Sequence, residues 1–178
     1  MKVIAISGHA QNGKDTVASF LKDSLEEVGE TVLIAHYADL VKFICKRFFG
    51  WNGEKDEYGR HLLQYVGTDI VRAQEPDYWV NFILDMLRFF GDNWDFVIIP
   101  DSRFPNEIDG LRNAGLDVTH LRVERKNFIS PLTKEQQMHP SETALDNVIP
   151  DVLIENDGTL DDLKKRVEQY IKENIYGE

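Results

Sequence analysis

At 178 residues, with 42% hydrophobic and 29% charged side chains, the chain has the size and balance of one globular domain rather than of a disordered segment. No stretch approaches the roughly 18 apolar residues of a membrane span, and a formal charge of −11 without a dense basic stripe disfavours DNA or an anionic membrane as the main partner. The lone cysteine, Cys45, excludes an internal disulfide, and five scattered histidines give no zinc spacing, so a cytoplasmic setting is expected.

KVIAIS, residues 2–7, is a short apolar run rich in β-branched residues and predicts a buried strand. A GHAQNG turn separates it from a helix over about 14–28, with Val17, Phe20, Leu21, Leu25 and Val28 on one face and Gly29 at its end. Residues 31–35 predict a second strand. Asp39 then opens a helix carrying Leu40, Phe43, Ile44 and Phe48, in which Cys45 is expected to be a buried thiol. Residues 56–72 place Leu62, Leu63, Val66 and Ile70 at helical spacing, weakened by Gly59 and Gly67. Pro76 stands in the first turn of a further helix, whose Trp79, Phe82, Ile83, Met86, Leu87 and Phe90 are expected to pack in the core. After a break at 91–93, residues 96–99 predict a third strand. PDSRFPNE leads from it into a helix through Ile108 and Leu111 that Gly115 closes, and 116–123 predict a fourth strand. Residues 124–150 are polar, hold three prolines and look irregular. Residues 151–154 make a last strand, and Thr159 with Asp162 forms a capping-box variant for the helix of Leu160, Leu163, Val167, Tyr170 and Ile171.

This alternation predicts an α/β domain over 1–178, with five parallel strands. A helical block at about 39–91 is inserted between the second and third strands, and a lid-like segment runs over about 124–150. Right-handed crossovers bring the loops after Ser7, Ala35, Ile99 and Val123 to one carboxyl edge of the sheet.

Gly8-His9-Ala10-Gln11-Asn12-Gly13-Lys14 fits the G-x-x-x-x-G-K phosphate loop. Its glycines let backbone N–H groups turn around phosphate oxygens, Lys14 reaches the β and γ phosphates, and the following helix adds positive potential. The position between a buried strand and a helix favours a nucleoside triphosphate site over a structural turn. The usual Ser or Thr after the lysine is replaced by Asp15, with Thr16 next. Two readings stand: Asp15 approaches magnesium directly or through water, or it caps its helix while Thr16 contacts a phosphate.

The other polar residues carry paired readings. Asp39 caps its helix or faces an acceptor phosphate or magnesium. Asp101 sits where a carboxylate would hold magnesium, and Arg103 offers a fork to an acceptor phosphate, unless the two merely pair. Arg72, one helical turn beyond Thr68, is a second clamp or a surface arginine. Asn106 and Glu107 fix their loop or meet the acceptor base. Tyr65, Trp79 and Phe104 wall a base or belong to the core. Ser141 reads as the cap of a short helix over 142–145, and Asn156-Asp157-Gly158-Thr159 as a tight turn with a helix cap.

Together G-H-A-x-x-G-K-D-T, Y-A-D, G-T-D…R…D-x-W, P-D-S-R-F-P-N-E, H-P-S-E and E-N-D-G-T-L, running from Gly8 to Leu160, resemble the phage-type deoxynucleoside monophosphate kinases. That family is similar to adenylate kinase and dephospho-coenzyme A kinase. The resemblance implies a three-layer α/β/α fold of nucleoside monophosphate kinase type and transfer of the ATP γ-phosphate to a deoxynucleoside monophosphate with magnesium. It agrees with Asp15 at its unusual position and implies Asp15 and Asp101 as metal-facing residues. It implies that the loop from Gly8 to Thr16, with Arg122, Asn156 and Gly158, holds the donor, its adenine largely against backbone. Lys14, Asp39, Asp101, Arg103 and Arg125 would act at the transfer, Arg125 as the chief cation of the lid. Tyr65, Thr68, Arg72, Trp79, Phe104, Asn106, Glu107 and Glu142 would hold the acceptor with Asp39 and Arg103. Expected partners are small nucleotides, without stable nucleic-acid or membrane binding, and a homodimer is allowed. The rival readings are a dephospho-coenzyme A kinase or other small-molecule P-loop kinase, and a nucleotide-operated switch protein, against which the cations Arg72 and Arg103 count.

Overall fold

The computed structural model describes residues 1–126 and 128–177. Asn127, inside the expected covering segment, and Glu178 lie outside the described residues. Five strands, β1 (Lys2–Ser7), β2 (Val32–Ile34), β3 (Phe96–Ile99), β4 (Asp117–Glu124) and β5 (Val152–Glu155), form one parallel sheet in the order β2-β3-β1-β4-β5. The central β1 pairs Val3 with Val97 on one side and with Val118 on the other. Successive side chains of a strand point to opposite faces. Ile4 and Ile6 meet one hydrophobic cluster and Val3 another, which is why this strand reads as a continuous apolar run rather than an alternating one.

Helices cover both faces, giving three layers. On the first face lie α1 (Lys14–Glu27) and α8 (Leu160–Tyr170), packing Val17, Leu21, Leu25, Leu163 and Val167 against Ile4, Ile6 and Leu121. The other face carries α2 (Ala38–Phe48), α3 (Glu57–Gln64), α4 (Tyr78–Phe90) and α5 (Pro105–Asn113) over Val3, Val97 and Ile99. Helix α3 runs on through a π-helical stretch, Tyr65–Arg72. Between β4 and β5 the expected irregular segment contains two short helices, α6 (Lys134–Met138) and α7 (Pro140–Thr143). Among the described residues, no helix is long and apolar enough to cross a membrane.

Several buried faces differ from the periodic reading. Val28 is exposed, because α1 ends at Glu27 and Ala18 completes its buried stripe. In α2 the buried residues are Val41 and Cys45, leaving Phe43 and Phe48 exposed. In α4 the buried face is Trp79, Val80, Ile83 and Leu87, and Phe82 and Phe90 turn outward. The reason is packing against α5, where Val80 approaches Gly110 so closely that a Cβ there would meet Val80 Cγ1 at 2.7 Å. Pro76 lies in the turn ahead of α4 rather than inside it. His139, whose ring accepts Ser141 N–H at 3.2 Å, caps α7 in place of Ser141.

One polar pair is sealed within the sheet. Ser7 Oγ lies 2.7 Å from His120 Nε2, and burial, helped by the Arg122 charge, pushes the imidazole down to about 4. The unfolded chain takes up a proton below about pH 6.5, but the folded chain does so only near 4. Stability therefore falls as pH drops through that window, by up to about 1.4 kcal/mol per pH unit. Urea melts between pH 7.5 and 4.5 are expected to show this slope in the native chain and a flatter one in His120→Gln. Parallel curves would contradict it.

Candidate functional site

The carboxyl edge of the sheet gathers the loops after β1, β2, β3 and β4. The phosphate loop, residues 8–14, leaves β1 and enters α1 with Gly13 at the N-cap position. Gly8 has φ 136°, and a Cβ there would lie 2.3 Å from the Val123 carbonyl oxygen, so only glycine lets the loop pass β4. Gly13 has φ 99°, and a Cβ would strike Asn156 Nδ2 at 2.5 Å. Gln11, at the apex, adopts φ 62°, a left-handed conformation uncommon for a residue with a side chain. Asn12 is buried and donates to Val123 O at 3.3 Å, while Asn156 Nδ2 donates to Asn12 O at 2.9 Å. The Asn156 side chain thus holds the phosphate loop, and Gly158 sits in the turn against the Asp162 cap.

Lys14 is buried, and its Nζ donates to Gly8 O and His9 O at 2.7 and 2.8 Å. Burial first, then the nearby Arg103 charge, pushes this ammonium down to about 7. Bound phosphate oxygens would reverse that trend. Asp15 lies in the first turn of α1, where its charge complements the positive end of the helix, with its side chain 85% exposed and Gly13 rather than Asp15 at the N-cap position. Its Oδ1 is 3.9 Å from His36 Nε2, a contact that lowers the Asp15 carboxyl and raises the His36 imidazole. Thr16 lies in the same turn of α1, outside the cleft lining.

Asp101, just past β3, accepts Tyr37 N–H at 3.0 Å on Oδ1 and Ala38 N–H at 2.9 Å on Oδ2. It caps α2 from another strand, the task that sequence reading offered to Asp39. Burial pushes the Asp101 carboxyl up, opposed by those two amides. Asp39 instead pairs with Lys42 at 2.9 Å and lies 3.5 Å from His36 Nδ1, outside the cleft lining.

The loop from Ser102 into α5 is organised by Glu107, which is 2% exposed. Its Oε2 accepts Arg103 N–H at 2.5 Å and Phe104 N–H at 3.1 Å, and its Oε1 pairs with Arg72. Arg72 also donates to Asn106 Oδ1 at 3.0 Å and lies 3.9 Å over the Phe104 ring. It is not a surface arginine: it lines the cleft with its guanidinium engaged by Glu107 and Asn106. Arg103 does not pair with Asp101: its Nη1 donates to Glu142 Oε1 at 2.7 Å. Glu142 Oε2 in turn accepts the Ala10 N–H of the phosphate loop at 3.0 Å.

One cleft of about 550 Å³ unites Ala10, Gln11, Lys14 and Asp15 with Asp101, Arg103, Phe104, Glu107 and Glu142. The helical block contributes Thr68, Arg72 and an edge of Trp79, whose indole N–H is bonded to Gly67 O at 2.9 Å. A smaller cavity of about 170 Å³ adjoins it, with Gly8, His9, Arg103, Arg122 and Glu142 in its wall. Arg122 donates to Val148 O at 2.8 Å and to Leu145 O, tying the segment after α7 to β4. Tyr65 stacks on His61, Asn106 bonds Asp77 Oδ1, and exposed Arg125 lies 4.7 Å over Phe128; none of the three lines the cleft.

Sequence reasoning missed His36, Lys42, Lys55, Arg60 and Gln64 in the cleft wall. Arg60, Gln64, Thr68 and Arg72 recur every four residues, and that row was the available signal for two of them. The π-helical stretch takes in more residues per turn than an α-helix, so the row stays on one side. Nothing local marked His36 or Lys55.

The profile of a family described as Deoxynucleotide monophosphate kinase matches residues 35–167. The Deoxynucleotide monophosphate kinase of Enterobacteria phage T4 is 34% identical over 124 residues, covering 68% of this chain and 48% of that protein. The protein of the same description from Escherichia phage RB69 is 29% identical over 115 residues, covering 64% and 44%. The chain therefore spans about half the length of these two relatives. Among solved structures, a sugar kinase from Janibacter sp. HTCC2649 superposes with a TM-score of 0.54 at 16% identity, covering 97% of this chain and 95% of that one. Shikimate kinase from Aquifex aeolicus gives 0.51 at 15%, covering 99% of both. These structures share the fold.

Proposed function

Because the chain belongs to the deoxynucleotide monophosphate kinase family, we propose that it transfers the γ-phosphoryl group of ATP to a deoxynucleoside monophosphate, giving ADP and the diphosphate. The carrying observation is the single cleft in which the Lys14 loop faces Asp101 and Arg103, with Thr68, Phe104 and Trp79 in the same wall. Its volume of about 550 Å³ suits a nucleotide-sized ligand. Loop amides and Lys14 bind the donor phosphates, and Arg103 grips the acceptor phosphate. Phe104 and the Trp79 edge flank the base, and Arg72 with Glu107 holds the Arg103 loop in place. The attacking phosphate oxygen is already ionised near neutral pH, so the site supplies alignment and charge neutralisation rather than a strong base. The helical block serves as the acceptor wall and the segment over 124–150 as the cover that keeps water out, with Arg125 on it.

Magnesium fits this site as a ligand shared with bound phosphates. Among the described residues, no three His, Cys, Asp or Glu side chains cluster to hold a metal. Magnesium takes one or two carboxylates and completes its shell with substrate oxygens and water. Asp15 and Asp101, both in the cleft wall, provide hard oxygen donors for it. When bound, the ion neutralises charge on the phosphate oxygens.

Incubation with ATP and magnesium against a panel of deoxy- and ribonucleoside monophosphates, with dephospho-coenzyme A alongside, tests the reading. Formation of a deoxynucleoside diphosphate is expected; turnover of dephospho-coenzyme A alone would overturn it. Arg103→Lys keeps the charge and loses the two-pronged guanidinium. It is expected to lower kcat/KM for the monophosphate roughly tenfold, about 1.4 kcal/mol. ATP affinity by calorimetry should change far less; a collapse of ATP affinity at constant monophosphate KM would move Arg103 to the donor site.

A further inference from the structure

The phosphate loop already holds an anion of the chain's own. The Glu142 carboxylate bridges the Ala10 N–H, at 3.0 Å from Oε2, and the Arg103 guanidinium, at 2.7 Å from Oε1. Its side chain is 8% exposed and lies in the wall of both adjoining cavities. Meanwhile Lys14 Nζ turns back onto the carbonyls of its own loop. An oxyanion held between a loop amide and an arginine, with a lysine at hand, is the environment a transferred phosphoryl group requires. A carboxylate and a phosphoryl group cannot share it, because two anions in a half-desolvated site repel each other.

The segment that delivers Glu142 is fastened at its other end. Arg122 holds the carbonyls of Leu145 and Val148, and His9 Nε2 lies 3.3 Å from Asp146 Oδ1. Glu142 thus reaches the loop from a backbone anchored on β4, so a turn of its side chain alone can vacate the position.

We propose that Glu142 is a placeholder for the phosphoryl group: it holds the Ala10 amide and Arg103 in the empty site and is displaced when nucleotide phosphate takes that amide, which frees Arg103 for the acceptor phosphate. The inference rests on the phosphate-loop reading and not on the identity of the acceptor. Binding therefore includes breaking two charge-assisted hydrogen bonds to Glu142, and apparent affinity is reduced accordingly.

The test is calorimetric titration of ATP, and separately of inorganic tripolyphosphate, into the native chain, Glu142→Gln and Glu142→Asp, without acceptor. Glu142→Gln keeps the shape and removes the competing charge, and is expected to tighten both ligands about tenfold. Glu142→Asp keeps the charge on a shorter arm that cannot span both partners, and is expected to tighten binding by less. It carries the test if the Gln variant does not fold. A purely structural role for Glu142 predicts the opposite sign, since a loosened loop binds phosphate less well. Equal or weaker binding in the variants overturns the placeholder and leaves the proposed activity intact. Absence of ATP and tripolyphosphate binding in all three proteins overturns the phosphate-loop reading and the placeholder with it.

Discussion

Lys14→Ala is expected to lower kcat/KM about a thousandfold, roughly 4 kcal/mol of transition-state stabilisation. Lys14 is the cation built into the phosphate loop itself; Arg103 answers first to Glu142 and Arg72 to Glu107. The folded chain already bears the cost of burying this amine, as its lowered proton affinity shows. That cost is recovered when phosphate oxygens replace the Gly8 and His9 carbonyls as its partners. Loss of the amine removes that burial cost and leaves the two carbonyls without their donor, at about 1 kcal/mol, so the variant should fold and melt within a few degrees of the native chain. Steady-state kinetics beside a thermal melt separates the two effects. Retention of near-native turnover would remove Lys14 from the phosphate site.

Glu107→Gln is expected to destabilise the chain by about 3 kcal/mol and to lower Tm by roughly 6–12 °C. The carboxylate has three donors around it: Arg72 on one oxygen, and the Arg103 and Phe104 amides on the other. An amide side chain must turn its own N–H₂ toward one of these groups, setting donor against donor. Burial pushes the Glu107 carboxyl up to about 7, with Arg72 and the amides opposing, so the pair adds little net stability near neutral pH. Breaking it is a different matter, because Arg72, with a side chain only 10% exposed, then keeps only the neutral acceptors Asn106 Oδ1 and Pro76 O and the Phe104 ring for its charge. Arg72→Met should cost a comparable amount, and the double variant less than the sum of the two. Additive effects, or a Glu107→Gln chain melting with the native one, would contradict this account. The Arg103 loop is also expected to loosen, so monophosphate kinetics should weaken with stability.

The strands, their order along the chain and the phosphate loop were determined by sequence alone, because each rests on local rules. A parallel strand buried on both faces must be apolar throughout, and a loop that wraps phosphate needs glycine where φ is positive. Gly8, Gly13 and Lys14 could be read without knowing any neighbour. The capping box at Thr159 and Asp162 was legible for the same reason. Helical periodicity likewise announced α2 and α4 but not which stripe would be covered, since that depends on the opposing helix; Phe43, Phe48, Phe82 and Phe90 face outward in consequence. Only the tertiary structure decided the partners of the charged groups. Asp101 caps a helix 63 residues away, Arg72 reaches Glu107 across 35, and Glu142 meets the phosphate loop across 132. A charge is attracted by any opposite charge, so sequence offers many pairings for each. The convergence of loops at one sheet edge brings a single set within hydrogen-bond distance, and the cost of burying an unpaired charge enforces that set.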